Sequence, residues 1–169
     1  MSERRASFSL IASLLFLVLA PGTVVGLIPS WLTGWRLEEP LLGLSILRVA
    51  GAALVFAGVG SLLDSFARFI FLGFGTPAPI APPTRLVVSG QYRHVRNPMY
   101  MAVLGTVIGQ GLVLGSGALL EYAALLWLLF HLFVVLYEEP RLGSRFGASY
   151  REYCRNVRRW WPRVRPWAA

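Results

Sequence analysis

Four apolar runs, separated by polar or proline-rich segments, organise the chain. The first extends from about Phe8 to Ile28 without a charge, long enough at about 1.5 Å per residue to cross a ~30 Å hydrocarbon core. The second runs from about Leu41 to Leu63, the third from Met99 to Leu114 and the fourth from Ala118 to Tyr137. Small residues crowd the second run, among them Ala50, Gly51, Ala57, Gly58 and Gly60, and predict close packing against a neighbouring helix. Gly115-Ser116-Gly117 leaves room only for a turn, so the third and fourth helices should form an antiparallel hairpin. The pattern predicts an all-α integral membrane bundle of about four transmembrane helices, with a cytoplasmic loop and a C-terminal amphipathic tail.

Between the runs the chain changes character. Pro21 and Gly22 are positioned to kink the first span, and Trp31 and Trp35 in the Pro29 to Pro40 loop suit a membrane interface. Arg48, inside the second span, is expected to snorkel outward or pair with an acid. A short amphipathic piece from Asp64 to Phe74 precedes a Pro/Gly-rich stretch (Gly75 to Pro83) and the polar segment Thr84 to Asn97. Met1 to Ala20 has the outline of a signal peptide, but Ala20-Pro21 is not a clean cleavage site, so the segment reads as a retained span.

Composition agrees with the bilayer: 56% of the 169 residues are hydrophobic and 14% charged. The formal net charge is +8. All the basic charge is arginine, placed beside the apolar spans and in the tail rather than on a soluble module, so nucleic acid is not an expected partner. By the positive-inside rule this placement puts both termini and the central loop in the cytoplasm. One cysteine, Cys154, excludes an internal disulfide, and two histidines, His94 and His131, exclude a His-rich metal centre.

The hairpin should bring two polar constellations together. One is Gly90 to Tyr100, where Asn97 is placed as N-cap and Pro98 at the first helical position. Arg96 there offers a place for a carboxylate, and Tyr92 and Tyr100 offer aromatic faces for an adenine or for a sulfonium cation. The other is Tyr137-Glu138-Glu139-Pro140, read as closing the fourth span. Acids at a helix C-terminus oppose its dipole, so these two imply a cationic partner, either a ligand's ammonium or sulfonium or Arg96 and Arg141. His131 lies one heptad before Glu138, either as a satisfied interhelical side chain or as a base. The tail from Arg141 to Trp167 mixes arginines and aromatics, which suits either a membrane anchor or a lid.

At these residues the chain resembles the membrane methyltransferase superfamily of isoprenylcysteine carboxyl methyltransferases and phospholipid N-methyltransferases. The family pattern Arg-His-Pro-x-Tyr-x-Gly, a hydrophobic run, then Glu-Glu appears as Arg96-Asn97-Pro98-Met99-Tyr100-Met101-Ala102 and Glu138-Glu139. Asn97 and Ala102 depart from it. Gly90-x-Tyr92 upstream and Phe146-Gly147-x-x-Tyr150-x-x-Tyr153, Val157, Arg159, Trp160 and Pro162 downstream extend the match. The resemblance implies S-adenosylmethionine as cofactor, held by Tyr92, His94, Arg96, Asn97, Pro98, Tyr100, Glu138, Glu139 and Tyr150, with Glu138, Arg141 and His131 as catalytic candidates and no metal. It divides the chain into N-terminal helices (1–74) and a methyltransferase core (75–169). The expected acceptor is lipid-like. Carboxyl methylation of a prenylated substrate, with Arg141 or Arg145 orienting the carboxylate, is slightly favoured over N-methylation of a phospholipid, where Glu138, His94 or His131 would take a proton. A non-enzymatic membrane scaffold is the remaining alternative.

Overall fold

A computed structural model describes residues 18–71 and 86–168, with side chains given for all of these but 69–71. The start of the first span, the Pro/Gly-rich stretch and Arg85 lie outside the described residues. Within them the fold is entirely helical. Helix α1 spans Val18–Thr33, α2 Ile46–Phe71, α3 Pro98–Leu114, α4 Gly117–Phe133 and α5 Glu139–Asn156.

Helix α2 packs along α3, and glycines set the distance between them. A Cβ on Gly51 would lie 2.7 Å from the carbonyl oxygen of Gly109, and one on Gly58 would lie 2.8 Å from that of Ala102. Backbone contact this close gives the dispersion that associates helices in lipid, where apolar burial alone supplies no net drive. The expectation from the small residues is met. Around this seam Leu62, Phe66, Ala102, Val103, Val107, Ala123 and Leu126 form the main core, and hairpin α3–α4 turns at Gly115, which adopts φ +77°.

Three boundaries differ from the sequence reading. Pro21 and Gly22 sit in regular helical turns, and α1 continues beyond Ile28, through Pro29, to the left-handed Gly34. A π turn at Thr23–Leu27 makes this possible: its wider loop accommodates the missing N–H of Pro29. Two carbonyls of the turn find partners on other helices, Val25 accepting from Gln110 (2.8 Å) and Val24 from the Tyr122 hydroxyl (3.2 Å). Helix α2 begins at Ile46 rather than Leu41 because Leu42 and Gly43 both adopt positive φ, and it runs on to Phe71 past an i,i+4 ion pair, Asp64–Arg68 (2.8 Å). Arg48 does reach outward, donating to the backbone carbonyl of Glu38 rather than to a carboxylate.

The third difference bears on function. Helix α4 does not end at Tyr137. A second π turn, Val134–Glu138, carries it into α5, with Glu139 N–H reaching back to the Val134 carbonyl. Glu138 and Glu139 therefore lie within a continuous run of helical turns and face no helix C-terminus, so the dipole reasoning that implied a cationic partner does not apply.

Candidate functional site

Where α3 begins and α4 passes into α5, the side chains make one polar network. Glu139 accepts from Arg159 through two parallel bonds of 2.7 Å, Nε to Oε1 and Nη2 to Oε2. Arg96 Nη2 lies 3.2 Å from the same Oε1. Two guanidinium groups thus share one carboxylate, and the Arg159 bonds and the Arg96 ion pair together join the start of α3, the start of α5 and the tail. These bonds hold the Arg159 guanidinium above its already high usual range. Arg96 also donates to the Cys154 thiol, while its Nε is buried with no partner among the described residues.

Glu138 is turned to a different neighbour. It accepts a 3.0 Å hydrogen bond from the Tyr100 hydroxyl. The Tyr100 ring lies 4.7 Å from Phe130 and 6.5 Å, edge-on, from Trp160. Trp160 Nε1 donates to His131 Nδ1 (3.1 Å), and His131 stacks on Trp127 at 5.3 Å. An indole N–H can only donate, so Nδ1 is the accepting nitrogen in this contact. Among the described residues, the contacts of His131 are thus with the tail and with its own helix rather than with another span.

The tail is strapped to the segment that leads into α3. Arg96 N–H donates to the Arg158 carbonyl (3.0 Å), Arg163 N–H to that of His94 (2.9 Å) and Trp167 N–H to that of Arg93 (2.9 Å). Asn97 occupies the N-cap position but makes no side-chain cap; its Nδ2 donates to the Arg159 carbonyl (3.2 Å) instead. His94 Nδ1 meets the Arg163 carbonyl at 2.8 Å, and the Tyr153 hydroxyl donates to the Tyr92 carbonyl at 2.7 Å. Beneath the strap Tyr150, Tyr153 and Val157 form a second core with Leu86, Val88, Phe146 and Trp167. Burial raises the Tyr92 phenol well above its usual range, so it stays protonated. Gly90, at φ +51°, lies against the Arg68 guanidinium, where any Cβ would collide.

Of the residues named from the sequence, Arg96, Asn97, Pro98, Tyr100, Glu138 and Glu139 are brought together, with His131 joined to them through Trp160. Tyr92 and His94 bond the tail, and Tyr150 belongs to the second core. Arg141 is separate: it is exposed and stacked over the Tyr137 ring at 4.7 Å. Sequence reasoning missed Arg159, Trp160 and Cys154 as members of the site. Arg159 and Trp160 were visible only as downstream extensions of the resemblance.

A family model described as phospholipid methyltransferase matches residues 44–149, well over half of the chain. The match takes in α2, both constellations and the hairpin, and stops short of Tyr150, Cys154 and Arg159. No curated protein and no solved structure matches the chain. With its apolar helices and a family match spanning its helical hairpin, the chain belongs to the phospholipid methyltransferase family and is an integral membrane methyltransferase.

Proposed function

We propose that the chain transfers a methyl group from S-adenosylmethionine to the amine of a phospholipid headgroup, at the cytoplasmic end of the α3–α4 hairpin. The observation that carries this reading is a pair of unmet demands within one network. Arg96 has a buried Nε–H with no acceptor among the described residues, and the Glu138 carboxylate, which accepts from the Tyr100 phenol, forms no ion pair among them. A buried charged donor calls for an anion, which the α-carboxylate of the methyl donor fits. A half-buried carboxylate calls for a cation, which an alkylammonium headgroup fits.

When bound, the methyl donor supplies an electrophilic methyl on a positively charged sulfur. Arg96 would hold its carboxylate, and the faces of Tyr100 and Trp160 would flank the cationic centre. Glu138 would orient the acceptor ammonium and take its proton, with Tyr100 steadying the carboxylate. Residues 75–169 would form the functional unit, with both termini and the loop before α3 cytoplasmic, as the arginine distribution supports.

This choice departs from the slight preference for a carboxylate acceptor. That chemistry needs a second available cation beside Arg96, which the donor's own carboxylate would occupy, whereas Arg141 is held on Tyr137, Arg145 lies over Phe146 at 5.7 Å, and Arg159 is drawn to Glu139. The family description also names phospholipids. The test is incubation of the purified protein with methyl-labelled donor and a lipid extract. Label in a phospholipid headgroup, at a rate rising with pH toward tenfold per unit below the amine pKa, is expected. Base-labile methyl ester with a flat pH profile would establish carboxyl methylation instead. No label, together with no binding of S-adenosylhomocysteine, would point to a scaffold.

A further inference from the structure

The outer face of α5 and the segment after it holds charge that the site does not use. Between Arg141 and Ala168 there are eight arginines and a single acid, Glu152. Only Arg159 of the eight forms an ion pair among the described residues. Arg151 and Arg155, one helical turn apart, are exposed and lie off the stripe that buries Tyr150, Tyr153 and Val157. Arg158 beside them is exposed, and Trp161 and Val164 keep 74% and 95% of their surface open.

Helix α5 issues without a break from the membrane-embedded α4, and its first arginine, Arg141, covers the exposed Tyr137 ring at that junction. The unpaired arginines are thus tethered close to a membrane surface, with an exposed tryptophan among them. We propose that this face docks on acidic phospholipid headgroups of the leaflet around the protein, and that their engagement holds the tail in its strapped position. Charge complementarity identifies the occupant: planar guanidinium groups match phosphate oxygens, and an indole suits the headgroup zone. Because the same tail supplies Arg159 to Glu139, lipid charge would regulate closure of the site. The inference does not depend on which acceptor is methylated.

The test is hydrogen–deuterium exchange of residues 148–168 in the full-length protein, held in nanodiscs of phosphatidylcholine alone or with about 30% phosphatidylglycerol. One engaged arginine is expected to slow exchange about fivefold, and several more so. The effect should vanish in about 0.5 M salt and in the triple variant Arg151→Gln, Arg155→Gln, Arg158→Gln. Equal exchange in the two lipids, or protection that survives the triple variant, overturns the proposal. Equal protection by soluble glycerol phosphate over phosphatidylcholine also overturns it, by assigning the surface to free anions.

Discussion

Replacing Arg159 by Gln tests whether the tail is energetically part of the site. The substitution removes two 2.7 Å charge-assisted bonds from Glu139. The side chains are 30% and 19% exposed, which places the pair between a surface ion pair at about 0.2–1 kcal/mol and a buried one, whose rupture costs about 3–5 kcal/mol. Arg96 stays 3.2 Å from Glu139, so the carboxylate is not stranded, and the expected loss is about 1–2 kcal/mol. Glu139→Gln is harsher, because it leaves two guanidinium groups facing a neutral amide; about 3 kcal/mol is expected. Titration calorimetry with S-adenosylhomocysteine in detergent should show Arg159→Gln weakening binding about 5- to 30-fold and Glu139→Gln more. The double variant should lose less than the sum of the two singles. Salt rather than pH is the useful second variable. The Arg159 pKa is raised by the pairing, so the stabilisation persists until pH exceeds even the usual guanidinium range. Unchanged binding in Arg159→Gln, or a reversed order of the two variants, would refute the coupling.

Tyr100→Phe keeps the ring against Phe130 but deletes the bond to Glu138; turnover should fall about tenfold or more, with little change in melting temperature. Gly147 adopts φ +52° and ψ −118° inside α5, with open space where a Cβ would stand. Gly147→Ala should therefore act through backbone strain alone, about 1–3 kcal/mol, read as faster hydrogen exchange across 150–157; unaltered exchange would remove the strain from the account. Reporter fusions after Trp35 and after Ala169 should report opposite sides of the membrane, and a same-side result defeats the orientation.

The sequence showed what local chemistry dictates. The apolar runs, the Gly115 turn and the small residues of α2 could be read directly, because lipid demands apolar length and close backbones demand glycine. The π turns could not be read, since they depend on partners far along the chain: Gln110 and Tyr122 satisfy carbonyls at Val25 and Val24. Missing the second turn put Glu138 and Glu139 at a helix end they do not occupy. Asn97 was placed correctly as N-cap, but its side chain is used by the tail. Arg159 escaped notice because it reaches Glu139 only after the chain breaks direction at Gly147 and again beyond Asn156, and neither bend has a periodic signature.

Each π turn is in effect a single extra residue stored inside a helix, with a proline just downstream: Pro29 after Thr23–Leu27 and Pro140 after Val134–Glu138. Deleting one residue from a regular helix rotates everything beyond it by about 100°. Deleting one from within 135–137 would instead let the turn heal into regular α-helix, leaving both flanks aimed as before. Pro140 would then press on the carbonyl four residues earlier, a clash of about 3 kcal/mol or more. Turn and proline are therefore mutually dependent. Chain length beside the two glutamates can change only if Pro140 is replaced in the same step.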